Sequence, residues 1–345
     1  MVPNRVLLIQ LRRVGDVLMT TPAVRALREA WPQAHLTYMT EAPSDQLLRN
    51  NPRINEVLPF PRNASPWAHL RMLASLRRRR FDLVVDFFSN PRTAQFAWAT
   101  RAPRRIGLNL RGRAWAYTDP VDLPHGLRYA AADKALLLGP LGVRAGSLLP
   151  EVFVGADHKA WVDRQMEVLG VAPDDLLVAL SPVSRRAFRR WPHERFARIA
   201  DILIERYAAK VLLVWGPGEE ADADAVRAEM RHAALPDYPL PDLPQLAALL
   251  ARATLYLGND NGPRHLAVAV GTPTVTPFGK SFPENWTPPG QPQHRAVAHD
   301  PGCKSNCIFP RCDLDCIRGV SWESVEREVE GLLQELLKHG HPARR

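Results

Sequence analysis

The sequence has few cysteines, no long hydrophobic run and few acidic residues in its first half. Only four cysteines occur among 345 residues, all between Cys303 and Cys316. A secreted disulfide scaffold would carry more of them, spread along the chain. No apolar run approaches the roughly 20 residues that a membrane-spanning helix needs, and no secretory signal pattern opens the chain. We therefore expect a cytoplasmic protein.

Acidic residues are scarce in residues 1–150, which carry 22 Lys and Arg against 10 Asp and Glu; residues 151–345 carry 23 against 26. A basic half joined to a near-neutral half indicates an anionic partner for the first half. Nucleic acid, a phosphorylated substrate and an acidic membrane surface all fit, and a purely solubilising charge is the alternative. Because no recognised nucleic-acid-binding motif accompanies the charge, we do not expect a nucleic-acid partner.

Strand and helix patterns alternate along both halves. Such alternation predicts parallel sheets with helices on both faces, and the length suits two doubly wound α/β domains. We predict domains at residues 1–155 and 156–320, followed by a C-terminal helix and tail at 321–345. The predicted strands are 5–11, 35–40, 54–60, 81–87, 176–182, 210–216, 254–257 and 272–279, and the predicted helices are 16–31, 67–80, 157–169, 193–207, 220–230, 243–253 and 324–338.

The first candidate site is the strand-to-helix turn at residues 11–24, which reads LRRVGDVLMTTPAV. Gly15 permits a tight turn, and Asp16 then lies at or near the helix N-cap. A capping aspartate alone stabilises a helix by about 1 kcal/mol. Alternatively, a carboxylate at the carboxyl end of a strand could take a proton from a substrate hydroxyl. The spacing leaves both interpretations open.

Two further segments in the second half follow predicted strands. Residues 181–196 read SPVSRRAFRRWPHERF, where backbone amides and the four arginines at 185, 186, 189 and 190 could attract phosphate or form a solvated charge cluster. Residues 215–220 read WGPGEE, where Glu219 or Glu220 could bind ribose hydroxyls. Acidic residues also favour helix N-termini for electrostatic reasons alone.

The corner at residues 257–265 reads LGNDNGPRH and joins an apolar strand to a helix. Asn261 and Gly262 lie at the helix N-terminus, where free N–H groups and the helix dipole favour an anion. His265 follows one turn later and can face the same place. The pattern predicts a diphosphate site, although it is neither a P-loop nor a GxGxxG motif. A glycine-rich turn with a core histidine is the alternative.

The four cysteines are spaced C-x3-C-x4-C-x3-C. Four thiols within so short a segment could ligate a structural zinc ion or an iron–sulfur cluster, although the usual zinc knuckle is C-x2-C. Local disulfides and free thiols are the alternatives. The four candidate ligands are Cys303, Cys307, Cys312 and Cys316.

Four stretches together resemble one family. They occur in the order VLLIQLRRVGDVLMTTPAVRALREAWP, RRWPHERFARIA, WGPGEE and GNDNGPRHLAVAVGTPTVTPFG, and the similarity runs from about residue 5 to about residue 335. The chain resembles the glycosyltransferase family 9 heptosyltransferases of lipopolysaccharide core synthesis. The resemblance implies a GT-B fold, with two Rossmann-like domains and the active site in the cleft between them.

The same resemblance implies an activity and its partners. The enzyme would transfer heptose from ADP-heptose, held by the C-terminal domain, with inversion and without a catalytic metal. The acceptor would be the inner core of lipopolysaccharide, either Kdo–lipid A or a heptose already on it, held by the N-terminal domain at the inner face of the inner membrane. The alternatives are transfer from another nucleotide sugar in O-antigen or capsule assembly, and a non-catalytic protein of the same fold that binds a nucleotide or glycan.

The resemblance also implies roles for individual residues. Asp16 is the base that takes the acceptor proton, Arg189 contacts the diphosphate where lysine is commoner, and Glu220 binds ribose. Asn261 stands where threonine is usual. The phosphate-binding motif matches Asp260, Asn261, Gly262 and His265, and the basic residues that could hold an anionic acceptor include Arg12, Arg13, Arg78 and Arg111.

Overall fold

The computed structural model describes residues 2–303 and 307–338, which form two compact units, Met1–Phe153 and Val154–Arg345. Each unit contains one parallel β-sheet with helices on both of its faces. No helix within the described residues is long and apolar enough to cross a membrane.

The first unit has a six-stranded sheet with the strand order β3-β2-β1-β4-β5-β6, all strands parallel. This order is that of the dinucleotide-binding doubly wound fold, in which the chain reverses direction between β1 and β4. The strands are β1 (Arg5–Ile9), β2 (His35–Thr40), β3 (Glu56–Pro59), β4 (Leu83–Asp86), β5 (Arg104–Leu108) and β6 (Asp119–Val121).

Five α-helices cover this sheet. The helices α3 and α4 pack on one face around Leu76, Phe96 and the residues of β1 and β4 that point to them, and α2 and α5 cover the other face. The helices are α1 (Val14–Leu18), α2 (Thr21–Ala30), α3 (Pro66–Arg78), α4 (Pro91–Ala99) and α5 (Ala130–Leu136).

The second unit has a five-stranded parallel sheet with the strand order β11-β10-β9-β7-β8. Read from the other edge, this is the 2-1-3-4-5 order of flavodoxin-like folds, which reverse direction between their first and third strands, here β7 and β9. The strands are β7 (Leu177–Ser181), β8 (Lys210–Leu213), β9 (Leu255–Gly258), β10 (Thr274–Phe278) and β11 (His294–Ala298).

Helices again lie on both faces of the second sheet: α6 packs on α9 and α9 on α10, whereas α7 packs on α8 and α13. The helices are α6 (Ala156–Val168), α7 (His193–Tyr207), α8 (Glu220–Glu229), α9 (Leu243–Arg252), α10 (Gly262–Ala269), α11 (Pro283–Trp286), α12 (Asp315–Arg318) and α13 (Trp322–Lys338).

The predicted helix over residues 16–31 is divided into α1 and α2. The hydroxyls of Thr20 and Thr21 donate to the carbonyls of Val17 and Leu18, at 2.7 and 2.8 Å. Pro22 has no N–H to continue the helical pattern. The Thr21 hydroxyl therefore donates to the Leu18 carbonyl, to which Pro22 has no N–H to offer, and the helix restarts with Pro22 in its first turn.

Candidate active site

The reversal of strand order in the second sheet forms a crevice beyond the carboxyl ends of β7 and β9. The two strands pair so that Ser181 lies opposite Gly258. A Cβ atom on Gly258 would lie 2.6 Å from the Ser181 carbonyl oxygen and 2.5 Å from the Tyr256 hydroxyl. A glycine at this position is therefore required for the close approach of the two strand ends.

Two asparagines from the corner after β9 connect it to the chain after β7. The Asn259 carboxamide accepts a hydrogen bond from the Trp191 N–H at 3.0 Å and donates to the Pro182 carbonyl at 2.6 Å. The Asn261 amide nitrogen donates to Ser181 Oγ at 3.1 Å and to the Val183 carbonyl at 2.9 Å. These bonds fix the two walls of the crevice relative to each other.

Asn261 is also the N-cap of α10. Its carboxamide oxygen accepts a hydrogen bond from the Arg264 N–H at 3.0 Å and another from the Tyr256 hydroxyl at 2.8 Å. The hydrogen-bonding groups of this side chain are thus already used within the protein. What remains for a ligand here is the Gly262 end of the helix with its partial positive charge.

Arg189 reaches the crevice from a 3-10 turn at Ala187–Arg189. Its Nε donates to Ser281 Oγ at 2.9 Å and lies 3.1 Å from Asp260 Oδ2. The guanidinium also lies 5.8 Å from the centre of the Trp286 ring. Because the Asp260 side chain is only 1% exposed, its charge needs a partner, and Arg189 supplies it.

His265 occupies the same crevice, 5% exposed, with Nε2 at 3.7 Å from Asp260 Oδ1. The pKa of the imidazole is lowered to about 3, mainly by burial; the negative charge of Asp260 opposes this shift, and the positive charges of Arg264 and Arg189 add to it. His265 is therefore neutral at pH 7. Within the described residues its buried Nδ1 has no hydrogen-bond partner, so a polar atom is left for a ligand.

These groups together suit a diphosphate. Arg189 contributes a permanent positive charge, the start of α10 contributes a partial one, and His265 contributes a neutral polar nitrogen. All three lie where ligands bind in doubly wound folds.

The two glutamates after β8 differ in their surroundings. The Glu219 carboxylate accepts a hydrogen bond from the Gly216 N–H at 3.1 Å, whereas Glu220 is exposed as the first residue of α8. The Glu220 carboxylate is therefore more available to a ligand, whereas the Glu219 carboxylate stabilises the turn after β8.

Asp16 lies at the corresponding crevice of the first sheet, beyond the carboxyl end of β1. Asp16 is near the N-cap of α1 but is not the N-cap itself, because Arg13 has that position and Asp16 lies in the first turn. Two nearby backbone positions are left-handed, Arg12 with φ 76° after β1 and Ser89 with φ 50° after β4. Strained positions of this kind cluster at functional sites.

Lys134 of α5 is a neighbour of Asp16 that the sequence analysis did not identify. Its ammonium group donates to the Phe87 carbonyl at 2.5 Å. Burial lowers the pKa of Lys134, and the negative charges of Asp16, Asp86 and Asp133 oppose this shift. The lysine thus brings a positive charge close to the Asp16 carboxylate. One signal was available, since Lys134 is the only lysine in residues 1–150.

Asp86 closes this crevice from the end of β4. Its buried carboxylate accepts hydrogen bonds from the Phe88 and Ser89 N–H groups, at 3.0 and 2.9 Å, and from the Tyr117 hydroxyl at 2.7 Å. Burial raises the pKa of Asp86 although these bonds oppose it. We interpret this side chain as a support for the loop after β4.

The four arginines suggested for an acceptor do not lie together. Arg12, Arg13 and Arg111 follow the carboxyl ends of β1 and β5, at the same edge of the sheet as Asp16, and are exposed. Arg78 ends α3, which runs back to the amino end of β4, and its neighbour Arg79 pairs with the first residue of β3 at 2.6 Å. Arg78 therefore lies at the opposite edge of the sheet.

The four cysteines line a single cavity of about 270 Å3 together with Phe188 and Lys280. All four are free thiols. In the described part of the chain, which omits residues 304–306, no three His, Cys, Asp or Glu side chains are arranged to hold a metal ion. The thiols share a cavity but do not form a ligand set in this geometry.

The fold and the two crevices define a protein of two doubly wound units, and the crevice of the second unit gathers groups that suit an anion. The family model for "Glycosyltransferase family 9 (heptosyltransferase)" matches residues 69–312. The chain belongs to this family of glycosyl-transferring enzymes.

Known proteins resemble the chain over most of its length. Lipopolysaccharide heptosyltransferase 3 of Escherichia coli (strain K12) is 26% identical over 302 residues, which cover 81% of this chain and 83% of that protein. A family 9 glycosyltransferase from Veillonella parvula DSM 2008 superimposes with a TM-score of 0.84 at 26% identity, covering 96% and 97% of the two chains. The E. coli ADP-heptose lipopolysaccharide heptosyltransferase II has the same fold, with a TM-score of 0.76, 21% identity and coverage of 96% and 99%.

The first prediction concerns Asn261. Asn261→Ala removes the helix cap and the cross-link to Ser181 and Val183, so we expect a loss of about 2 kcal/mol in unfolding free energy. Asn261→Thr keeps a capping oxygen but loses the amide donor, so we expect about half that loss. Asn90→Ala, which removes the cap of α4 without a cross-link, is the matched control. Urea unfolding measures all three, and an Asn261→Ala protein as stable as the wild type would contradict the assignment.

The second prediction concerns His265. An unfolded chain protonates this imidazole below about pH 6.5, whereas the folded chain does not until about pH 3. Stability is therefore lost as the pH falls through this window, by about 2 kcal/mol at pH 5. The His265→Asn protein should have a flatter stability curve between pH 7 and pH 5, measured by urea unfolding. His125→Gln, at an exposed site, should keep the wild-type slope.

Proposed function

We propose that this protein is an inverting glycosyltransferase that moves heptose from ADP-heptose to the inner core of lipopolysaccharide. The acceptor hydroxyl would belong to Kdo–lipid A or to a heptose already attached. The observation that carries the proposal is the convergence of Arg189, His265 and the start of α10 on one crevice in a family 9 chain. The names of the relatives, which are lipopolysaccharide heptosyltransferases, support the sugar and the acceptor.

In this proposal the second unit holds the donor. The diphosphate lies against Arg189, the Gly262 end of α10 and His265, with Asp260 holding the arginine in place. Asn261 contributes its backbone N–H, because its side chain is already hydrogen-bonded. The exposed Glu220 is placed to bind a ribose hydroxyl. An arginine can contact two phosphate oxygens at once, so its presence where lysine is commoner preserves diphosphate binding.

In the reaction step the acceptor hydroxyl oxygen attacks the anomeric carbon of the heptose. The bond from that carbon to the ADP oxygen breaks, and the ADP leaves with both bonding electrons. Asp16 takes the proton of the attacking hydroxyl. Arg189 and the helix end stabilise the negative charge that grows on the leaving phosphate. Attack opposite to the leaving group inverts the anomeric configuration.

We propose that the acceptor binds at the carboxyl edge of the first sheet, with Arg12, Arg13 and Arg111 beside Asp16. Arg78, at the other edge, would meet an anionic partner elsewhere. Transfer requires the two substrates to meet, and the interdomain active site expected from the family resemblance remains part of this proposal. So does a cytoplasmic location at the inner face of the inner membrane, where a lipid-linked acceptor would be available.

We propose that catalysis needs no metal ion, since Arg189 and α10 supply positive charge to the leaving group. A structural zinc ion or iron–sulfur cluster at the cysteines is a separate hypothesis. The described thiol geometry does not fit either group, so no step is assigned to them. Metal analysis of the purified protein tests the cysteines, and turnover in the presence of a chelator tests catalysis.

A ligand panel tests the donor identity. ADP should raise the thermal unfolding midpoint more than GDP or UDP at equal concentration, because binding to the folded state stabilises it. A preference for GDP or UDP would indicate another nucleotide sugar. Tight binding of ADP without transfer to any acceptor would indicate a non-catalytic binding protein.

The third prediction concerns Asp16. Asp16→Asn removes the proton acceptor but keeps the shape of the side chain, so turnover should fall by at least about 100-fold. The binding of ADP should be unchanged, because the donor groups lie in the other unit. ADP release from ADP-heptose with a deacylated core acceptor measures turnover. Asp45→Asn, an ion-paired carboxylate elsewhere in the first unit, is the control. Equal turnover in Asp16→Asn and the wild type would exclude Asp16 as the base.

The fourth prediction concerns Lys134. A nearby positive charge favours the ionised form of a carboxylate base. Lys134→Met should therefore move the acidic limb of the pH profile of kcat/KM to higher pH, and Lys134→Arg should restore it. A purely structural lysine would lower activity without moving this limb. An unchanged profile in an active Lys134→Met enzyme would contradict the electrostatic role.

A further inference from the structure

The outer side of the α3 and α4 layer in the first unit exposes large apolar side chains. Trp67 is 75% exposed and Leu70 54% exposed, both on α3. Trp98 of α4 is 53% exposed and Trp115, in the 3-10 turn after β5, is 57% exposed. The rings of Trp98 and Trp115 meet edge to face with their centres 5.9 Å apart. We call this surface, with its surrounding arginines, the aromatic–arginine face.

The exposure arises because one side of α3 packs on the core and the opposite side faces solvent. Met72, Leu73 and Leu76 turn inward to the core between the helix layer and the sheet. The outward side presents a stripe at helical spacing that begins with large apolar residues and ends with arginines. The stripe consists of Trp67, Leu70, Arg71, Ala74, Arg77 and Arg78.

The layer also carries almost no free negative charge. Residues 57–118 contain twelve arginines and two acidic residues. Asp82 accepts hydrogen bonds from the Asn4 and Arg5 N–H groups, each at 2.8 Å, and Asp86 is buried. The aromatic–arginine face therefore combines exposed tryptophans with an excess of positive charge.

Some of the twelve arginines are neutralised by ion pairs and others are not. Arg79, Arg92 and Arg104 pair with carboxylates of the first unit. Within residues 2–303 and 307–338, no carboxylate lies within ion-pair distance of the exposed Arg62 or Arg71. These two arginines flank Trp67 and Leu70 in sequence, so their charges are available to a partner.

We infer that the aromatic–arginine face docks on the surface of an anionic phospholipid bilayer. Tryptophan rings settle at the boundary between headgroups and acyl chains, and arginines bind lipid phosphates while their stems cover apolar surface. Each basic residue near an anionic bilayer adds to the attraction. The inference rests on the proposed function in one respect, since that function supplies a lipid-linked acceptor as the reason for docking.

Flotation of the full-length protein with vesicles tests the inference. The vesicles contain phosphatidylethanolamine alone or mixed with phosphatidylglycerol. The wild type should float with the mixed vesicles, and less so at high salt. Trp67→Ser with Leu70→Ser should weaken binding by about tenfold, because apolar area no longer enters the interface. Arg62→Glu with Arg71→Glu should weaken it by at least about 20-fold, since two attractive charges become repulsive.

Two matched controls lie in the second unit. Val168→Ser changes an apolar side chain that is 82% exposed, and Arg164→Glu changes an exposed arginine. Both should bind vesicles like the wild type. A wild type that ignores the mixed vesicles, or face variants that bind as well as the controls, would overturn the inference. The inference would also be overturned if the face variants lost affinity for duplex DNA or for the deacylated acceptor but kept their affinity for vesicles.

Transfer to the deacylated acceptor without vesicles separates this inference from the proposed function. The face variants should transfer heptose at the wild-type rate in that assay, because a soluble acceptor needs no docking. If the protein floats as expected but transfers no heptose, the docking face is supported and the proposed function is contradicted. If the protein transfers heptose but never floats, the proposed function is supported and the docking face is contradicted.

Discussion

A buried carboxylate sets the arrangement of the donor crevice. Asp260 is 1% exposed, and a charge removed from water is tolerated only beside a compensating group. Arg189 is that group, 3.1 Å away, and its position requires the turn before α7 to lie against the end of β10. A Cβ atom on Gly279 would lie 2.0 Å from the Phe188 carbonyl, so glycine alone allows this contact. One buried charge thus determines the position of Arg189, the arginine that we propose to bind the diphosphate.

Most polar side chains of the corner after β9 maintain its structure, and few remain for a ligand. Asn259 and Asn261 join the corner to the chain after β7. Arg264 is fully buried, with its guanidinium donating to Thr276 Oγ1, the Trp286 carbonyl and Thr287 Oγ1 at 2.9–3.0 Å. These bonds fix α11 beside α10 and so place Trp286 against His265, with ring centres 5.4 Å apart. The ligand-facing groups are held by a polar framework of the same short segment.

The spacing of apolar residues predicted several elements in both units. The helix at 193–207 and the strand at 35–40 have the predicted bounds, since their apolar residues recur at clear helical or strand periods. The strands β5 and β6 were missed because one begins with two arginines and the other has three residues. The helix α4 was missed although Asn90 and Thr93 form a capping box.

The sequence predicted which candidate residues lie together where they belong to one segment, but not where contacts between distant elements bring them together. Asp260, Asn261 and His265 are close in sequence, so one strand-to-helix corner is enough to predict that they lie together. Lys134 and Arg264 depend on packing between distant elements, which no local pattern encodes. The charge of Arg78 is evident from the sequence, but its position is not. A helix that connects two parallel strands runs back to the amino edge of the sheet, so the C-terminal residues of such a helix lie away from the crevice.

The two units hold different kinds of charge, and this difference suits the two halves of the reaction. The crevice of the second sheet combines the guanidinium of Arg189 with a histidine that burial keeps neutral at pH 7. The crevice of the first sheet combines the Asp16 carboxylate with a buried lysine, whose pKa burial lowers and the negative charge of Asp16 raises. In the proposed reaction, charge stabilisation would therefore belong to the second sheet and proton transfer to the first.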